Sequence, residues 1–257
     1  MTLLLAELLR FSNESLWHGF TVFLRVGAMV ALMPAFGERT VPPRIKLVVI
    51  FGFVMIVAPA VPSSGVAPSI DTATVLLLTE TIAGALLGLG IRMFILALQT
   101  AGSIAAQSTS LSQILGGAVA DPLPAMGYVL IISGLALAVM LGLHIKAAQI
   151  IILSYDLLPA GRFPSGQTVS EWGLAQVKQA FSLAFTLAGP FVILSVVYNL
   201  ALGAINKAMP QLMVAFVGAP VITAGGLFML AIASPMMLEM WISAMDAFLA
   251  NPFEVHP

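Results

Sequence analysis

The stretch Met126–Leu158, MGYVLIISGLALAVMLGLHIKAAQIIILSYDLL, stays largely apolar from end to end. As one helix it would run about 50 Å at 1.5 Å per residue. The hydrocarbon core of a bilayer is only about 30 Å thick. Such a run tilts strongly, breaks, or continues into protein outside the lipid. Its distal part carries His144, Lys146 and Gln149. Five more stretches approach the ~20 apolar residues of a spanning helix: Leu16–Met33, Ile45–Val61, Val75–Leu98, Ala180–Leu202 and Leu212–Trp241. Residues 1–10 could add a short helix before the first. Alternation with period two is absent, which argues against a barrel. The expected fold is an all-α polytopic membrane protein with about six long, bent or broken apolar helices, forming one integral membrane domain over 1–257.

Composition supports that class. The chain has 257 residues, 60% apolar and 8% charged, with mean hydropathy +1.07 and net charge −1. Soluble domains carry roughly 25% charge. Disorder needs low hydrophobicity and high charge, and nucleic-acid binding needs a basic patch; neither fits. The absence of cysteine excludes disulfides and thiolate chemistry. The N-terminus, MTLLLAELLRFSNESLW, shows no basic region and no A-x-A site, so no cleaved signal peptide is expected.

Glycine and proline interrupt the later apolar runs. Gly189-Pro190 sits mid-way along Ala180–Leu202, and Leu212–Trp241 holds Gly218, Pro220, Gly225, Gly226 and Pro235. Proline removes a helical hydrogen bond, and freed backbone groups survive at membrane depth only inside protein or beside a wet cavity. These segments are therefore expected to be packed against other helices. Pro34–Pro43 reads as a proline-bounded turn and Pro62–Pro68 as a loop. Gly161–Gln179 reads as a polar connection with a capping box at Thr168 and Glu171. Gln99–Pro124, QTAGSIAAQSTSLSQILGGAVADPLP, holds small and neutral polar residues with one charge, Asp121. It is too polar for lipid and too uncharged for a solvated loop. Lys and Arg divide almost evenly between alternate connections, so the positive-inside rule sets no orientation.

Three charges fall within apolar spans: Arg25, Glu80 and Arg92. A charge at mid-bilayer costs on the order of 2.5–3.5 kcal/mol on the insertion scale. Glu80 and Arg92 lie about 18 Å apart along one helix, so each needs another partner. Either Arg92 snorkels and Glu80 lies near a helix end, or both line an internal path. Glu80, Gly84, Gly88 and Arg92 form an i, i+4 ladder whose glycines admit close approach of another helix. His18, His144 and His256 show no metal-ligand spacing, and no P-loop, G-x-S-x-G or H-E-x-x-H motif occurs. No enzyme activity, metal or cofactor is expected. The fourteen methionines read as flexible packing residues or as a compliant apolar seal.

The segment Asn199–Pro220, NLALGAINKAMPQLMVAFVGAP, resembles the signature of the FliR family of flagellar export-gate proteins and, more distantly, its injectisome relatives. The matching positions are Gly203, Asn206, Lys207, Pro210, Gln211, Gly218 and Pro220. Lys207 stands where arginine is more usual, keeping charge but losing bidentate geometry. Arg25, Pro34–Gly37, Val41-Pro42, Glu80, Ala101-Gly102 and Asp121-Pro122 also fall where the family has similar residues. The resemblance covers nearly the whole chain.

It implies a non-enzymatic channel subunit of the flagellar type III export gate. Residues 1–125 would be a FliP-like part and 126–257 a FliQ-like part, with helical hairpins wound into an assembly with FliP and FliQ, and with FlhB and FlhA as further partners. That assembly would sit in the bacterial inner membrane at the centre of the basal body, passing unfolded rod, hook and filament proteins. The polar segment would then align with the family's pore-closing loop, with Gln107, Leu111, Ile114, Leu115, Gly116, Gly117 and Asp121 as its candidate residues. Small uncharged groups and a few aliphatics would give weak, reversible closure. Assembly and packing would fall to Gly84, Gly88, Asn206, Lys207, Pro210, Gln211, Gly218 and Pro220. The competing reading is a self-contained secondary transporter of a small solute, which would place broken helices in both halves; here the breaks cluster in the second half.

Overall fold

The computed structural model describes residues 2–38, 40–63, 70–109, 125–209 and 214–253. The described residues form seven α-helices: α1 (Thr2–Leu32), α2 (Pro43–Val57), α3 (Ile70–Thr109), α4 (Ala125–Met140), α5 (Leu143–Leu157), α6 (Gly166–Ala208) and α7 (Val214–Ala250). A short 3-10 turn, Ala58–Ala60, follows α2. Five helices are long and apolar enough to cross a membrane, and the bent pair α4–α5 makes a sixth. The fold is all-α and polytopic.

The over-long run Met126–Leu158 breaks. Gly142 takes a left-handed backbone with φ 81°, and α4 and α5 meet at a 71° bend. Glycine meets that conformation without the Cβ penalty other residues carry. Pro43 opens α2 at its first turn, where its missing N–H costs nothing. The turn before it brings Gly37 against the carbonyls of Ala31 and Met33, and Lys46 Nζ donates to the Gly37 carbonyl at 2.9 Å.

Several sequence expectations are corrected. The expected short helix over residues 1–10 is not separate where described; α1 runs unbroken from Thr2. Gln99–Thr109 is not loop but the last turns of α3, because Ser108 and Thr109 hydroxyls donate back to the Ala105 carbonyl at 2.9 Å. The connection after Gly161 is short, since α6 starts at Gly166. Its cap is Ser165, whose Oγ accepts from Thr168 N–H at 3.1 Å, while Glu171 accepts from the Gln167 amide instead. Pro190 lies inside α6, and Pro220 and Pro235 inside α7, without ending either helix. Within this chain these two helices are less buried than α3. In the most apolar window of α3 half the residues are buried, against 28% in α6 and 22% in Pro220–Ala250 of α7.

The chain divides into two compact units. Unit 1 comprises Met1–Arg92, Val139–Ala175 and Ala247–Pro257; unit 2 comprises Met93–Ala138 and Gln176–Asp246. Val22, Met29, Leu87, Ile150 and Ile151 are buried in unit 1, and Trp172 Nε1 there donates to the Pro252 carbonyl at 2.7 Å. Leu98, Leu130, Phe191 and Trp241 are buried in unit 2.

Candidate functional site

Unit 1 is organised around Arg25. Its position near the middle of the apolar span Asn13–Leu32 of α1 is one where a lone guanidinium could not be left in apolar surroundings, and the fold partners it fully. Arg25 is 1% exposed and Glu80 of α3 is 0% exposed. Nε donates to Glu80 Oε2 at 2.9 Å and Nη2 to Oε1 at 3.2 Å, a two-pronged contact. Nη1 donates to Ser154 Oγ of α5 at 2.9 Å, and Nη2 also to the Leu158 carbonyl at 2.8 Å. The Tyr155 ring lies 3.7 Å from the guanidinium carbon, in cation–π contact. Glu80 Oε1 further accepts from Gly161 N–H at 3.3 Å.

One ion pair thus ties α1 to α3, to α5 and to the turn after α5. Planar bidentate pairing suits arginine and would not survive replacement by lysine. Both carboxylate oxygens of Glu80 are engaged, so this is a fixed structural pair. It corrects both sequence expectations for Glu80: the residue lies well inside α3, and its charge faces Arg25 and not an internal path. Arg92 is half-buried, and its Nη1 reaches the carbonyl of Leu32, the last residue of α1, at 3.4 Å. A cation there complements the negative end of the helix dipole.

The glycine ladder packs as its spacing indicates, and the close neighbour is α1 of the same chain. A Cβ on Gly84 would collide with the backbone of Arg25. One on Gly88 would stand 2.7 Å from the Met29 carbonyl and 2.9 Å from Leu32 Cβ. These glycines let the helices close far enough for the Arg25 side chain to reach Glu80.

Unit 2 closes by other means. Gly102 of α3 and Gly127 of α4 meet backbone to backbone, with no room for a Cβ on Gly102. Gly226 of α7 lies against Thr109, and Thr109 Oγ1 comes 4.0 Å from Met126 Sδ. Trp241 Nε1 donates to the Phe94 carbonyl at 2.8 Å, and Tyr198 Oη to the Gly218 carbonyl at 2.6 Å. The two ends of the connection between α3 and α4 are held here without charge.

The remaining sequence candidates divide. Gln107 is exposed on the last turn of α3, Asn206 and Lys207 are exposed at the end of α6, Gly218 is buried and Pro220 exposed on α7. Leu111, Ile114, Leu115, Gly116, Gly117, Asp121, Pro210 and Gln211 lie outside the described residues. Among the described residues no cluster of three or more His, Asp or Glu could hold a metal ion. Sequence reading missed Ser154, Tyr155 and Gly161. The available signal was the polar stretch Ser154-Tyr155-Asp156 directly after the apolar Ile150–Leu153.

Residues 16–248 match the family described as bacterial export proteins, family 1. The chain is 32% identical over 225 residues to the flagellar biosynthetic protein FliR of Caulobacter vibrioides, covering 86% of this chain and 89% of that one. The chain belongs to the FliR family. The FliR proteins of Escherichia coli and Bacillus subtilis are each 27% identical, over 227 and 217 residues. They cover 85% and 82% of this chain and 84% and 83% of their own lengths. The span matched by the FliR-family model includes the Arg25 cluster, the glycine contacts of both units and most of α7.

Proposed function

We propose that this chain is a non-enzymatic channel subunit of the flagellar type III export gate in the bacterial inner membrane. It would assemble with FliP and FliQ at the centre of the basal body, form the portal for unfolded rod, hook and filament proteins, and engage FlhB and FlhA. Family membership supports the export role. The observation that carries the assembly is the mismatch between helix length and bilayer. On α6, exposed apolar side chains run from Leu174 to Ile205, about 46 Å of helix. Lipid covers about 30 Å of that, so other protein must cover the rest. The uncharged fastening around Gly102, Gly127, Thr109 and Gly226 supports the reading of the segment between α3 and α4 as a closing element rooted on fixed helix ends.

The test is co-expression with FliP and FliQ, followed by detergent extraction and affinity purification on this chain. A stoichiometric complex of the three is expected. A chain that purifies alone and binds a small solute would overturn the reading in favour of a transporter.

A further inference from the structure

The outward face of α7 carries a combination that neither water nor lipid covers well. Val221, Phe228, Ile232 and Met236 are spaced seven, four and four residues apart and are 55%, 69%, 61% and 68% exposed. That spacing sets them on one helix face. Glu239 follows three residues after Met236 on the same face and is also exposed, with Met240 beside it exposed as well. No hydrogen bond or ion pair engages Glu239 among the described residues. The apolar stripe excludes water as the natural neighbour. The carboxylate sits within a 31-residue apolar stretch, Pro220–Ala250, where lipid is a poor neighbour for a charge.

We propose that this face is a docking surface for an apolar helix of another subunit that presents one arginine or lysine opposite Glu239. This rests on the export-gate reading and adds to it which face is used and what chemistry the partner must carry. Charge complementarity selects the occupant. A purely apolar helix would strand the carboxylate, and an acidic one would repel it. A cation paired with Glu239 satisfies the charge while the stripe from Val221 to Met236 packs. The arrangement inside unit 1 shows the same solution, with Glu80 met by Arg25 in apolar surroundings.

The chain has no cysteine, so an introduced one reports a single position. Met236→Cys is made in the full-length chain, expressed in flagellated cells with the complete export apparatus, and labelled with benzophenone maleimide, whose maleimide alkylates that thiol and whose irradiated ketone then inserts into a neighbouring C–H bond of protein or lipid. A higher-mass adduct is expected, whose sequencing places an arginine or lysine of another subunit within one helical turn of the linked residue. Glu239→Lys should lower recovery of the native complex at least tenfold, with Glu239→Gln intermediate. Reversing the partner's cation to glutamate should restore the Glu239→Lys complex. An adduct between two copies of this chain, or adducts with lipid alone, would overturn the proposal. So would complex recovery within twofold of wild type for Glu239→Lys. In those cases a FliP–FliQ complex still forms, and the gate reading stands. Failure of that reading would instead show as no complex with the wild-type chain. Membrane levels of Glu239→Gln control for folding; a normally accumulating Gln variant with undiminished complex also counts against the docking face.

Discussion

Two stretches of α3 meet their neighbours by opposite chemistry. Around Glu80 the contact is ionic, with Arg25, Ser154 and the Leu158 carbonyl drawn onto one guanidinium–carboxylate pair. Around Gly102 the contact is bare backbone, Gly102 against Gly127, with Thr109 and Gly226 close by. The ionic junction fixes one register, because bidentate geometry tolerates little sliding. It is also brittle, because loss of one partner leaves a buried charge. The glycine junction depends on the absence of side chains and gains by close packing alone. A membrane protein has little hydrophobic drive between helices, so each unit needs such a device. In unit 1 it locks three helices. In unit 2 it holds the ends of a connection through backbone and hydroxyl contacts among the described residues.

The largest expected effect comes from breaking the ionic junction on one side. Glu80→Ala leaves Arg25 buried and unpaired, a loss of about 3–5 kcal/mol for such pairs. The chain should nearly vanish from the membrane fraction, and what remains should melt far below wild type in detergent. Replacing both partners, Arg25→Met with Glu80→Leu, should recover most of the protein, since an apolar pair of similar volume is often neutral. A Glu80→Ala chain as abundant and heat-stable as wild type would show that the pair fastens nothing.

Next comes overpacking, which affects both junctions. Gly84→Ala drives a methyl into the Arg25 backbone and Gly102→Ala into Gly127, at about 1–3 kcal/mol each. A Cβ added at Gly189 on α6 would meet nothing within 4 Å, so Gly189→Ala should be neutral or stabilising by up to ~1 kcal/mol. Thermal melts of the three variants separate a packed glycine from a free one. Smaller again is Trp241→Phe in unit 2, which removes the hydrogen bond to the Phe94 carbonyl but keeps an aromatic ring. Interhelical hydrogen bonds in membranes average about 0.6 kcal/mol, so its melt should fall by far less than that of Glu80→Ala. Equal losses would erase the contrast between the two units.

Much of this was legible from the residues. Charges inside apolar runs must be partnered, which marked Arg25 and Glu80 from the sequence alone. Their mutual pairing was not legible, because 55 residues separate them and local spacing offered only Arg92 for comparison. The i, i+4 glycines announced close approach, whereas Gly127 looked like one more residue of an apolar run. Reading Gln99–Thr109 as loop failed because hydroxyls of Ser108 and Thr109 bond back to their own helix, hiding their polarity. Pro190, Pro220 and Pro235 suggested breaks. A proline removes only one backbone hydrogen bond, and in apolar surroundings the rest of the helix persists around it.

The smallest effect tests what Tyr155 contributes to the ionic junction. Its ring lies on the Arg25 guanidinium, while its hydroxyl is buried without a hydrogen-bond partner. If the ring alone matters, Tyr155→Phe keeps the cation–π contact and removes a polar atom that burial only penalises. Its melting temperature should match wild type or rise slightly. Tyr155→Leu keeps apolar bulk but loses the π face, at about 0.5–2 kcal/mol, and should melt measurably lower. The order Phe at or above Tyr, with Leu below both, assigns the contribution to the ring. A Phe variant as weak as Leu would instead place the hydroxyl in the Glu80 network, making the ionic junction of unit 1 larger by one member and its contrast with unit 2 sharper.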